Sequence, residues 1–248
     1  MNTLKIKSWL TSFFSILKSS NIFFIKIIFD YIKIKKIISQ KHSSVIINLE
    51  YEETESFEKY FVLRNNFIQL SLLRAINLDL HKKSNELSIL DLGTGAGYFP
   101  FICKYFGHHA DSIDIKGNNF YDNSTNALGL VKYHQEILHN ENLVIEKKYD
   151  LICAYMICFN GHKSPNLWGI YEWSKFLNAL INNNLQTNGK IFLSFNLEEN
   201  GEPFSYELEN FFCSFAKKIS SNEILIENNQ HLATSIKNYN NLSIEQEH

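Results

Sequence analysis

From Leu87 onward the hydrophobic pattern alternates between two periods. Short apolar runs bounded by polar or glycine-rich breaks stand at Leu87 to Leu92, Ala110 to Ile115, 131–137, 149–156 ("YDLICAYM") and 189–196 ("GKIFLSFN"). Between them, apolar residues recur at helical spacing over Tyr98 to Phe106, 120–129 and Ile170 to Leu185. Strands alternating with helices imply crossover connections, and hence a parallel sheet covered on both faces. Downstream, "EPFSYELENFFCSFAKK" reads as a helix, while "NEILIE" and "HLATSIK", separated by "NNQ", read as a closing antiparallel hairpin. The expected fold class is α/β: a Rossmann-like, doubly wound, mostly parallel seven-stranded sheet with helices on both faces.

Upstream the pattern changes. Lys59 to Leu80 carries apolar residues at helical spacing with few breakers and reads as a long helix, preceded at 43–58 by a short strand or loop and an acidic connector. The first forty residues form a separate block. In "LKIKSWLTSFFSILK", Ile6, Trp9, Leu10, Phe13, Ile16 and Leu17 follow helical spacing. In "NIFFIKIIFDYIKIKKII" the polar residues Lys26, Asp30 and Lys33 lie on one narrow stripe. Charges interrupt every window long enough to span a bilayer, and no small-residue cleavage site follows a clean apolar core. The expected organisation is a basic apolar helical arm at 1–42, a main domain at 43–240 and a polar tail at 241–248.

Charge sharpens that division. Seven lysines against Asp30 give residues 1–40 a net +6, so the remainder totals −8 within an overall −2. Two readings of the arm stay open: it packs on the acidic body or a second copy as a homodimer contact, or it lies in a membrane interface with its lysines toward anionic headgroups. The expected localisation is cytoplasmic, with peripheral contact at the inner face of the membrane under the second reading. Cys103, Cys153, Cys158 and Cys213 show no C-x-x-C pair and read as buried free thiols in a reducing compartment.

The chemistry concentrates in "LDLGTGAGYF" (90–99) and "DSIDI" (111–115). A loop leaving a parallel strand and entering a helix is the usual ligand crevice of such sheets, and glycines let the main chain approach a ligand closely. Dinucleotide sites space their glycines G-x-G-x-x-G, whereas Gly93, Gly95 and Gly97 follow G-x-G-x-G with Asp91 two residues ahead. A carboxylate there suits a cation better than a phosphate. S-adenosylmethionine offers a sulfonium and an ammonium, and Asp114, closing the second strand, stands where an acid accepts both ribose hydroxyls.

On these residues, and on "YDLICAYM" and "NGKIFLSFN" downstream, the chain resembles the class I S-adenosylmethionine-dependent methyltransferases over roughly residues 59–240. The resemblance implies that Asp91, Gly93 and Gly95 line the methionine end of the cofactor and Asp114 its ribose. Glu136 and Ile137 would flank adenine and Tyr60 would cover the cofactor, with Thr94, Gly97 and Ile115 completing the binding set. In this fold the acceptor lies beyond the fourth strand, where the segment reads "AYMICFNGHKSPNLWGIYEW". Its "CFN-x-H … LWG-x-x-EW" pattern is similar to one in bacterial methyltransferase-like proteins.

His162 is the expected general base, its ordinary pKa near 6.5 suiting proton acceptance at neutral pH, and Asn160 the expected orienting residue. Each has a plainer alternative as a loop residue. Trp168, Tyr171 and Trp173 offer either a stacking wall for an acceptor or helix packing, the second expected for at least two of them. His108, His109 and His134 are set aside as structural or distant from the crevice. No Asn-Pro-Pro-Tyr or Asp-Pro-Pro-Tyr motif and no basic stripe with aromatics is present, so nucleic acid is not an expected partner. No acidic cluster points to a metal. The expected acceptor is a hydroxyl or amine of a small molecule, glycan or lipid-linked compound. The alternative is an inactive methyltransferase-fold scaffold or partner subunit acting through the arm.

Overall fold

The computed structural model describes residues 21–46, 64–82, 84–117, 119–156, 167–197, 201–228 and 236. The apolar runs become strands β1 (Ser88–Leu92), β2 (His109–Asp114), β3 (Val131–His134), β4 (Tyr149–Tyr155) and β5 (Leu185–Ser194). Two further strands, β6 (Lys217–Ser220) and β7 (Glu223–Glu227), complete one sheet in the order β3-β2-β1-β4-β5-β7-β6. The first five strands are parallel, while β7 runs antiparallel to both β5 and β6. The fold is therefore the seven-stranded, mostly parallel arrangement that the resemblance to class I methyltransferases implies.

Among the described residues six helices flank the sheet: α1 (Asn21–Ile46), α2 (Arg64–Asn77), α3 (Tyr98–Tyr105), α4 (Asn119–Leu128), α5 (Ile170–Ala179) and α6 (Tyr206–Cys213). The period of two in the strands divides the core. Leu90 and Leu92 of β1 enter a cluster with Trp173 and Phe176 of α5 and Phe211 and Phe212 of α6. Ile89 enters a second cluster with Ile34 and Ile38 of α1, Ile68 and Leu72 of α2, and Ile102 of α3. Asp91 shares the parity of Ile89, so its carboxyl belongs to the face that α1 to α4 cover. The strand order reverses at β1, between β2 and β4, so the carboxyl ends of these strands form the switch point at which open α/β sheets bind ligands.

Several boundaries depart from expectation. The helix expected through "EPFSYELENFFCSFAKK" starts only at Tyr206, capped by Ser205 Oγ accepting from the Leu208 amide, and stops at Cys213. "KKIS" then becomes edge strand β6, where lysines blunt the exposed edge. "NEILIE" pairs with β5 on one edge and with the segment before it, β6, on the other, while "HLATSIK" apart from Ile236 lies outside the described residues. Residues 229–235 lie outside the described residues, and Ile236 is buried in the core.

The helix expected to Leu185 ends at Ala179 and widens into a π-helical turn over Leu180–Asn184. Buried Asn184 stitches that turn to the loop before β4, donating to Ile145 O at 2.7 Å, and β5 begins earlier than the apolar run suggests. β3 stops at His134, although the Gln135 amide still donates to Asp114 O of β2 at 3.0 Å. Of the expected helix at 59–80, residues 64–77 are helical and a turn follows; residues 59–63 lie outside the described residues.

The first stretch of the expected connector, 43–46, continues helix α1. That helix is seated firmly: Ile27, Ile34 and Ile38 are buried, and Lys41 Nζ donates to Ala127 O at 3.2 Å. Buried His42 is held neutral, its pKa lowered to about 4 chiefly by burial and secondarily by the Arg64 charge. Its Nε2 lies 3.0 Å from Ser124 Oγ, which donates to Ala96 O at 2.6 Å. A neutral His42 protonated at Nε2 satisfies both bonds, so α1 is tied through α4 to the glycine loop. Residues 1–20 lie outside the described residues.

Candidate functional site

The site begins where β1 ends. Gly93 and Thr94 both donate their amides to Ile113 O, at 2.8 and 3.2 Å, which lashes the loop to β2. Gly93, Gly95 and Gly97 all take positive φ, at 72°, 54° and 80°. Gly97 has a second reason to be glycine: a Cβ there would stand 2.6 Å from Leu130 Cδ1 and 2.9 Å from Thr125 Cγ2. Gly97→Ala is expected to cost roughly 3 kcal/mol, from left-handed strain and overpacking together. Urea denaturation checks this, and an unchanged midpoint would contradict it.

Asp114, at the end of β2, closes the loop from the other side. Its Oδ2 accepts the Gly95 amide at 2.6 Å and its Oδ1 the Ile115 amide at 2.8 Å. Each carboxylate oxygen retains a second lone pair, so the group can still accept two hydroxyls. Burial raises the Asp114 pKa, opposed by the two amides and the Lys132 ammonium. Lys132 is itself buried against Asp122 of α4, and His134 Nε2 lies 3.9 Å from the same carboxylate.

Asp91 is almost fully buried, and its pKa is raised to about 7 by that burial, with the nearby Asp114 charge adding a little. The Thr94 hydroxyl and the Arg74 guanidinium pull the other way. Arg74, in the last turn of α2, stacks its guanidinium 4.0 Å above the Tyr155 ring at the end of β4. Cys103 and Cys153 share this pocket, their thiols held well above ordinary pKa by burial. Burial thus penalises the ionised form of the Asp91 carboxyl, and the Arg74 charge only partly offsets the penalty.

The loop therefore brings together Asp91, Gly93, Thr94, Gly95, Gly97 and Asp114. Ile115 follows Asp114 and is 53% exposed, offering apolar surface beside the carboxylate. Glu136 is exposed, while Ile137 packs against the α5 and α6 side of the core. Tyr60, Asn160 and His162 lie outside the described residues, as do Cys158 and Phe159.

Trp168 and Trp173 are buried, their rings 5.2 Å apart edge to face, and pack helix α5 onto the sheet; only Tyr171 is exposed. His108 is buried below the sheet, with Nε2 2.7 Å from Leu80 O and Nδ1 accepting the Leu87 amide; His109 pairs with Glu86 at 2.8 Å. Cys103 and Cys153 are buried free thiols, but Cys213 is exposed at the end of α6. Among the described residues no cluster could hold a metal ion.

Sequence reasoning missed Arg74 and Tyr155, which carry no motif, although Arg74, a charge within the apolar stretch "LSLLRAIN" of α2, was a signal. It also missed Met156. Directly after β4 this residue takes φ 56°, a left-handed conformation that a side chain adopts only under constraint. Its amide donates to Ser194 O at 2.7 Å, and Asn196 Nδ2 donates to its carbonyl at 2.8 Å. Backbone strain thus lies beside the crevice, at the start of the segment expected to bind the acceptor.

No family model and no curated protein matches the chain. Solved structures similar to it include the ribosomal protein L11 methylase of Lactobacillus delbrueckii subsp. bulgaricus, at 15% identity and TM-score 0.39, covering 64% of this chain and 77% of that one. A TehB-like SAM-dependent methyltransferase from Corynebacterium glutamicum matches at 14% identity and TM-score 0.47, over 69% and 97% of the two chains. The amino pentose methyltransferase CalS10 of Micromonospora echinaspora, solved with SAM bound, matches at 15% and 0.41. That match covers 59% of this chain and 58% of CalS10.

Proposed function

We propose that the chain is an S-adenosylmethionine-dependent methyltransferase. The observation that carries this reading is the pairing of two acids across one glycine loop: Asp91 buried near Arg74, Asp114 gripping the loop and still able to accept two hydroxyls. Asp91 takes the ammonium of the cofactor's amino-acid end and Arg74 its carboxylate. Asp114 takes the ribose hydroxyls, Gly93, Thr94, Gly95 and Gly97 allow close approach, and Ile115, Glu136 and Ile137 border the adenine side, with Tyr60 as cover. The bound cofactor supplies an electrophilic methyl group on a sulfonium, open to in-line displacement.

The chain's own task is then to align an acceptor and take its proton, which can supply much of the acceleration. His162 is the base in this reading and Asn160 the orienting group, on the segment that continues from the strained Met156. The acceptor is a hydroxyl or amine of a small-molecule, glycan or lipid-linked compound. CalS10 and the sugar N-methyltransferase KedS8 are neighbours whose names point the same way. Calorimetry with S-adenosylmethionine and S-adenosylhomocysteine tests the reading. Binding on the order of micromolar is expected for both. A folded protein that binds neither would reduce the glycine loop to inherited architecture.

A further inference from the structure

Helix α1 has two apolar faces, and among the described residues only one packs into the core. Ile27, Ile34 and Ile38 enter the core, whereas Ile25, Ile28, Phe29 and Ile32 are 51%, 39%, 59% and 53% exposed. Their spacing, i, i+3, i+4 and i+7, lines them along one stripe on the side opposite the buried one. Large side chains exposed contiguously in this way mark an interaction surface.

The charges around the stripe identify what it meets. Lys26, Lys33 and Lys36 are exposed beside it. The only acid on this helix, Asp30, turns toward the body and accepts the Tyr105 hydroxyl at 2.8 Å. The outward side is therefore apolar and uniformly basic, while the chain beyond residue 40 carries −8. A second copy docking stripe to stripe would set lysines against lysines, since a two-fold contact presents the same patch twice. No helix among the described residues is long and apolar enough to cross a membrane, and α1 has its other face in the core.

We propose that the outward stripe of α1 docks the protein flat on an anionic lipid surface. Ile25, Ile28, Phe29 and Ile32 enter the headgroup–acyl boundary, and Lys26, Lys33 and Lys36 reach the headgroups. Residues 1–20, which precede α1 in sequence and lie outside the described residues, are also basic and apolar, with Trp9, Phe13, Lys5, Lys7 and Lys18 among them. The acidic body, repelled by the same surface, orients the molecule with α1 down. This inference is independent of the methyltransferase reading.

The test is flotation of the full chain with vesicles of phosphatidylcholine plus phosphatidylserine, beside pure phosphatidylcholine. Binding is expected only to the anionic vesicles, weakening with salt. The double variant Phe29→Gln/Ile32→Gln should lose binding at least tenfold. Lys33→Gln/Lys36→Gln should lose about fivefold for each lysine removed. Thermal midpoint should stay unchanged in both, because these side chains leave the core untouched.

No vesicle binding by the folded wild type would overturn the proposal, as would equal binding by wild type and Phe29→Gln/Ile32→Gln. A wild-type dimer in light scattering that this variant converts to a monomer would overturn it in favour of a second copy. A non-binding monomer that the same variant destabilises would show the stripe covered by residues 1–20.

Discussion

Asp114→Ala is expected to weaken S-adenosylmethionine binding by roughly 10²–10³-fold, the effect of removing two hydrogen bonds to a charged acceptor. The structure gives a second reason for so large a loss. Asp114 Oδ2 accepts the Gly95 amide at 2.6 Å, so the substitution also releases the glycine loop. Asp114→Asn separates the two roles. Its amide oxygen can still accept, but its nitrogen cannot accept from Gly95 or a hydroxyl, and an intermediate loss should follow. Calorimetry measures affinity, and urea denaturation of the same samples shows whether the fold survives. Unweakened binding by a folded Asp114→Ala protein would remove the ribose assignment and, with it, the strongest support for the cofactor.

The second large effect is on pH dependence. Burial raises Asp91 to about 7 from its ordinary 3.8. The folded protein therefore keeps a proton that the unfolded chain has released between about pH 4 and 7. Native-state proton binding exceeds that of the unfolded state there, so stability of the ligand-free protein should fall as pH rises through this window and level above it.

Binding runs the other way, because an ammonium at Asp91 favours the carboxylate. Affinity for S-adenosylmethionine should rise about tenfold per pH unit up to about 7 and then flatten. Titrations at pH 6 in two buffers of different ionisation enthalpy should reveal nearly one proton released per cofactor bound. In Asp91→Asn both signatures should vanish along with most of the affinity. A flat affinity profile in wild type would mean that the carboxyl does not meet the cation.

Much of the fold was legible in the chain. Strands at 88–92, 109–114 and 149–155 are apolar runs bounded by breakers, and a buried parallel strand leaves little else for such a run to do. The glycine loop was legible for the same reason, since three glycines in positive φ have few other uses. The carboxyl-terminal part was harder: "AKKIS" has no apolar periodicity strong enough to announce an edge strand, and its pairing with β7 depends on a partner already held by β5. Arg74 stood out as a charge in an apolar helical stretch, but its interactions with Asp91 and Tyr155 were not legible because those residues are distant in sequence.

The sequence by itself determined the doubly wound α/β class, the crevice and the two acids on either side of its loop, because local periodicity and backbone freedom encode these directly. It also marked the first forty residues as basic and apolar, while leaving open whether that block packs or faces a membrane. Only the tertiary structure decided that α1 does its packing with one face and leaves a second apolar stripe outward. The same is true of His42 and Ser124 bracing the glycine loop, and of a carboxyl buried deeply enough to titrate near neutrality. Burial and contact between distant segments set these properties, and neither is a property of any short stretch of chain.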